Sequence, residues 1–249
     1  NTSIRHYETA RRLFMRVGNE RRAAVMELNN GENYRMKGEY NKARRLYRHA
    51  YDAAKKLHDD VVQTVAITNE GLILVNIGDY KAATNALSEG LKLLKDEEGV
   101  AKRVPELRAD VEQALATIAL NENRLSDAWR HATTALRIAE QLGIQMTVGL
   151  AYRTMGDVYT ALPNPPMDDI DLSLPETPDD YYQLALETLK SVGAEAEIGY
   201  TTFNYAQSLA KRGKQLRAAQ LLRDAIVIFS KLGMTRDVVK AAEAQLNIT

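Results

Sequence analysis

Gly31–Ala54 reads GENYRMKGEYNKARRLYRHAYDAA, with glycine or alanine where two helices must cross closely and aromatic rings where the gap between them needs filling. Gly31 and Tyr34 lie three apart on one helical face, and Gly38 ends that helix. Ala43, Tyr47 and Ala50 then follow the i, i+4, i+7 spacing of a second amphipathic helix. Forty residues on, the pattern returns as Gly71, Leu74, Gly78, Ala83, Leu87 and Gly90. The spacing predicts an all-α protein built from repeated helical hairpins, none of which buries its apolar stripe without a neighbour.

The second-helix register runs through the chain as a large or apolar residue followed three positions later by a small one. It occurs at Tyr7/Ala10, Tyr47/Ala50, Leu87/Gly90, Ala132/Ala135, Tyr182/Ala185 and Leu222/Ala225. Eight residues after each small residue stand Gly18, His58, Glu98, Gly143, Gly193 and Gly233, and glycine ends helices readily with a left-handed cap. First helices are expected at about 20–37, 60–77, 104–121, 146–161 and 195–211, with close-approach positions Gly31, Gly71, Ala116, Gly156 and Ala206. The expected organisation is one solenoid domain over 1–249: a half-repeat at 1–18 and repeats at 20–58, 60–98, 104–143, 146–193 and 195–233. A capping helix at 235–247 completes it, with Thr235 as its hydroxyl N-cap and Asp237 in its first turn. Because the chain opens on a second helix without its first, the expectation is a piece of a longer protein. Its uncapped N-terminal end is a candidate for self-association.

Composition narrows the classes. No apolar run approaches the roughly 18 residues of a membrane span, and no signal-peptide pattern is present. The chain has no cysteine, so it has no disulfide framework or thiolate metal site, which fits a reducing cytoplasm. Formal net charge is zero, yet residues 1–58 hold 14 Lys+Arg against 6 Asp+Glu, and the remainder is correspondingly acidic. That imbalance either steers an acidic partner to one end or is an uneven scatter of solvated helix faces.

Two insertions lengthen the period. Residues 96–105, DEEGVAKRVP, read as a longer loop between units. Residues 162–180, LPNPPMDDIDLSLPETPDD, hold five of the six prolines and exclude helix between two helices of one unit. Met167, Ile170, Leu172 and Leu174 make that insert either a short linear motif or flap, or a solvated loop packed on the adjacent unit.

The run Gly31, Tyr34, Gly38, Tyr40, Ala43, Tyr47, Ala50 resembles the tetratricopeptide repeat, and Gly71, Leu74, Gly78, Tyr80, Ala83, Leu87, Gly90 follows it closely. The first aromatic of the family pattern is replaced by Glu27, Ile67, Glu112 and Thr202, and only Tyr152 conforms. The closing proline is missing, and the 40-residue unit is similar to the variants of kinesin light chains, LGN-type scaffolds and bacterial signalling regulators. The resemblance implies a right-handed superhelical solenoid of about five repeats whose first helices line a concave face. Two positions before each close-approach residue stand Asn29, Asn69, Ala114, Thr154 and Asn204. This resembles the asparagine ladder with which some members hold the main chain of an extended peptide, a carboxamide being both donor and acceptor. Specificity would then rest on Leu28, Glu32, Arg35, Thr68, Leu72, Asn76, Gln113, Thr117, Asn121, Arg153, Asp157, Phe203, Gln207 and Lys211. Leu28 and Glu32 stand where the carboxylate-clamp variety has Lys and Asn, which argues against capture of a C-terminal carboxylate. Arg153 and Lys211 are one turn from Asp157 and Gln207 and are expected to make i,i+4 contacts.

Nothing points to catalysis. His6, His49, His58 and His131 lack metal-ligand spacing, and no phosphate loop, G-x-S-x-G elbow or H-E-x-x-H helix occurs. The basic run Arg11, Arg12, Arg16, Arg21, Arg22, Lys42, Arg44, Arg45, Arg48 is a weak signal for nucleic acid, because Arg44, Arg45 and Arg48 fall on a second helix. The expected function is therefore non-enzymatic, without cofactor or metal. It is a peptide-binding or scaffolding module for a protein partner within a larger signalling protein, with a ligand-sensing regulatory domain or homotypic assembly as alternatives.

Overall fold

The computed structural model describes residues 2–95, 99–162, 164 and 174–248. Helices run α1 (Thr2–Arg16), α2 (Glu20–Met36), α3 (Tyr40–Lys56), α4 (Asp60–Asn76), α5 (Tyr80–Leu93), α6 (Val100–Arg103), α7 (Glu106–Asn121), α8 (Leu125–Leu142), α9 (Gln145–Ala161), α10 (Pro178–Ser191), α11 (Glu195–Lys211), α12 (Gln215–Lys231) and α13 (Thr235–Leu246). Among the described residues there is no strand. From α1 to α5, and again from α8 to α13, each helix packs on the next, the succession of antiparallel hairpins that makes a helical repeat solenoid.

The rhythm comes from the links. Gly18, Gly38, His58 and Gly78, then Asn123 and Gly143, then Gly193, Gly213 and Gly233 all have positive φ. Within each series they recur every twentieth residue: helices of 17 residues, such as α2, α3 and α4, joined by three-residue turns. At Gly38 the N–H of Gly38 bonds the Arg35 carbonyl and that of Glu39 the Tyr34 carbonyl, the paired bonds of a Schellman ending. The residue that completes this ending also begins the next helix. Asn19, Asp59 and Asp79 do so with side-chain caps, accepting from the N–H groups of Arg22, Val62 and Ala82.

The chain divides into two compact units, 1–114 and 115–249. In the first, the α3 stripe Ala43, Tyr47, Ala50, Ala54 is fully buried. It packs with Ala24 and Leu28 of α2 and with Val62, Ala66 and Ile73 of α4. Gly31 is required by contact: a Cβ there would stand 2.4 Å from Cε1 of Tyr47. Between α5 and α7, where a plain loop is expected, Val100–Arg103 forms a single helical turn. Val100 is buried there with Leu94 and Leu107. Apolar burial thus gives this lengthened link its turn of helix, while residues 96–98, including the predicted stop Glu98, lie outside the described residues.

In the second unit the same stripe returns as Ala128/Ala132/Ala135/Ala139 on α8, Tyr182/Ala185/Leu189 on α10 and Ala218/Leu222/Ala225/Phe229 on α12, all buried. Trp129 is buried and meets Tyr159 edge-on at 5.9 Å, and Tyr159 meets Tyr181 at 5.4 Å. The insert is shorter than expected. Pro178, Asp179 and Asp180 already belong to α10, because proline is tolerated at the first helical position and the Thr177 hydroxyl caps the N–H of Asp180. Leu162 and Leu174 pack against the Trp129 cluster, whereas Met167, Ile170 and Leu172 lie outside the described residues. Thr235 is not the N-cap of α13. Met234 holds that position without a side-chain bond, since it also completes the turn at Gly233. Asp237 instead accepts from the Tyr200 hydroxyl at 3.2 Å.

Candidate functional site: the groove between first helices

α2 and α4 are the first helices of consecutive units, and Arg21 of α2 bonds Asp59, the cap of α4, so the two run parallel. Between them lies a groove of about 490 Å³. One wall carries Arg21, Val25, Leu28, Asn29 and Glu32, the other Val61, Val62, Val65 and Asn69. Arg21, Val25 and Asn29 are spaced i, i+4, i+8, and Val61, Val65 and Asn69 match them forty residues later. Each wall therefore reads polar or apolar entry, valine, asparagine. The carboxamides of Asn29 and Asn69 have no hydrogen-bond partner among the described residues, so both amide edges are open to a ligand. At the far end Glu32 takes two bonds from Arg35, at 2.8 and 2.7 Å, and one from the Tyr47 hydroxyl at 3.2 Å. Burial pushes the Glu32 carboxyl up, but these donors and the Arg35 charge outweigh it and hold the group below its ordinary value.

The first helices of the second unit meet differently. Arg153 of α9 donates to Glu197 of α11 at 2.7 Å. Asn204 of α11 donates to Asp157 of α9 at 3.0 and 3.3 Å, and the hydroxyls of Thr160 and Ser208 share a bond of 2.5 Å. Asp157 also accepts from the Tyr182 hydroxyl at 2.6 Å. These links fall on successive turns of the second half of α9 and tie it to α11. Burial pushes the Asp157 carboxyl up against the pull of Tyr182, Arg153, Asn204 and Lys211. Asn204, in register with Asn29 and Asn69, is thus engaged by the chain itself. Arg153 reaches across to α11 rather than along its own helix to Asp157 because Glu197 stands opposite it.

The remaining sequence-derived positions separate by burial. Arg35 is committed to Glu32; Leu72 is half-buried and Asn76 exposed, and neither lines the α2–α4 groove. Gln113 is buried, and so are its neighbours Val111, Glu112 and Ala114, so this turn of α7 is enclosed on every side. Phe203 is 4% exposed, not an open wall residue: Met234 and Ala241 pack with it and Lys240 lies 5.2 Å over its ring. Gln207 is exposed. Val25, Val61, Val62 and Val65 line the groove without having been singled out in the sequence, although Val25 and Val65 stand one turn before Asn29 and Asn69 in the same forty-residue register. Among the described residues no cluster of His, Cys, Asp and Glu has the form of a metal site, and no helix is long and apolar enough to cross a membrane.

Stacked hairpins of this length and linkage define a helical repeat protein. No family model matches the chain, and no curated protein does. Solved structures share the fold. BtubC (BKLC) from P. vanneervenii superposes with a TM-score of 0.59 at 19% identity, over 93% of this chain and 90% of that one. A Rap protein complexed with competence and sporulation factor gives 0.64 at 14% identity, over 98% of this chain and 69% of that one. The likeness is one of fold.

Proposed function

We propose that the chain is a tetratricopeptide-like, non-enzymatic binding module that holds an extended segment of another protein in the α2–α4 groove. The observation that carries this reading is the pair of uncommitted carboxamides, Asn29 and Asn69, one on each wall of a valine-lined groove. Each can take one main-chain N–H and one C=O of a peptide unit without reading its side chain. The α9–α11 seam, whose asparagine is already bonded to Asp157, is not a second copy of this site. The Rap structure with competence and sporulation factor bound supports a ligand-holding role for a fold of this kind, and a regulatory or signalling setting is part of the proposal.

Asn69→Ala tests it. Loss of a bidentate amide contact weakens peptide binding about fivefold to tenfold, with helicity unchanged, while Asn204→Ala leaves binding as it was. Unchanged affinity for Asn69→Ala, or loss on Asn204→Ala instead, removes the groove from the account.

A further inference from the structure

The α2–α4 groove is polarised along its length. At the end where both helices begin, Arg21 uses Nε for Asp59, yet the Arg21 side chain is 59% exposed and that of Asp59 only 11%, so on the groove lining the cation is the accessible member of the pair. At the other end the order reverses, with Glu32 46% and Arg35 24% exposed, and the surface presents an anion. The amide dipoles of two parallel helices add positive potential at the Arg21 end. Val25 and Val65 lie between. Resting on the groove as the ligand's seat, we propose that it selects a segment with an acidic, an aliphatic and a basic side chain at inward positions i, i+2 and i+4. The acid lies over Arg21 and the base over Glu32.

The dimensions agree. Arg21 and Glu32 are eleven residues apart on one helix, about 16 Å at 1.5 Å per residue. Same-face residues i and i+4 of an extended chain span about 13 Å, and the ionic side chains reach the rest. A segment with two acids sets one of them against Glu32, and a segment with two bases sets one against Arg21. Like charges across a contact cost affinity and opposite charges fix register. A ligand chain running the other way along the groove meets the same charges with the base at i and the acid at i+4.

The test is fluorescence anisotropy with three labelled peptides, Ser-Asp-Ser-Val-Ser-Lys-Ser and its counterparts with two aspartates or with two lysines. The mixed-charge peptide is expected to bind about fivefold tighter than either other, with the gap narrowing as salt is raised. Glu32→Lys shifts the preference to the two-aspartate peptide and Arg21→Glu to the two-lysine peptide. Circular dichroism checks that each variant is folded, and the wild-type comparison stands if one is not. Equal affinity for all three peptides, all of it sensitive to Asn69→Ala, overturns the charge rule and keeps the groove as the seat. Absence of binding by all three overturns both.

Discussion

Replacing Gly31 by alanine adds a methyl group whose carbon would stand 2.4, 2.8 and 3.1 Å from three ring carbons of Tyr47. Carbon atoms rest about 3.5–4.0 Å apart, so the ring has to recede by more than about 1 Å. Tyr47 is fully buried and its hydroxyl is tied to Glu32, so there is nowhere for it to go. Overpacking of this kind costs about 1–3 kcal/mol, and the better helix propensity of alanine returns up to about 1 kcal/mol. The net expectation is a loss of about 1–2 kcal/mol. Tyr47→Leu alone costs a comparable amount through the lost ring and hydroxyl. Together the two changes recreate the Ala206/Leu222 pairing of the second unit, where both residues are fully buried. The double variant should therefore lose less than the sum of the single ones by at least about 1 kcal/mol. Native-state hydrogen exchange of the α2 and α3 amides reads this locally, as a repeat array requires. A Gly31→Ala protein as stable as the parent, or strict additivity, refutes the close crossing of α2 and α3.

His58 holds a left-handed φ of 53° where every other described left-handed link but that at Asn123 uses glycine, so His58→Gly should raise the stability of the first unit by about 0.5–1 kcal/mol, seen as a later urea midpoint; a lower midpoint contradicts the turn geometry. Partial burial pushes the Asp179 carboxyl up, but bonds from Arg212 at 2.5 Å and Lys214 at 2.8 Å hold it down to about 2, against an ordinary 3.8. Its contribution is complete above pH 3.8 and disappears as pH falls through about 2. Trp129, the sole tryptophan, reports the second unit, and Asp179→Asn should flatten the acid dependence of its emission in that window. Asp157 has the opposite sign, raised by burial, so its charged form weighs on the fold at neutral pH and that weight lifts on acidification. Asp157→Asn should keep or raise the melting temperature at pH 7, whereas Asp157→Leu, which strands the Tyr182 hydroxyl and the Asn204 amide, should cost about 2–3 kcal/mol.

The helices were legible because length and linkage are both local. A helix of about seventeen residues ended by a left-handed stop leaves the same trace at most links, even where His58 or Asn123 replaces glycine. The small-to-large crossings at Gly31/Tyr47 and Gly71/Leu87 were legible for the same reason. Partner choice across helices was not. Arg153 has an acid one turn away on its own helix, and only the placement of α11 brings Glu197, 44 positions on, to 2.7 Å. The asparagine register names three equivalent residues, but what each meets depends on the facing helix: Asp157 opposite Asn204, and a valine-lined gap beside Asn29 and Asn69. Phe203 looked like a wall residue until α13, whose cap Met234 doubles as the end of a turn, closed over it. Val100 turned a lengthened loop into helix because it had Leu94 and Leu107 to bury against, a contact with no period.

The most direct test is an NMR titration that follows the side-chain amides of Asn29, Asn69 and Asn204 as the mixed-charge peptide is added. Shifts at Asn29 and Asn69, with Asn204 unmoved in its bond to Asp157, are the predicted result. Shifts at Asn204 with α2 and α4 silent would contradict the account.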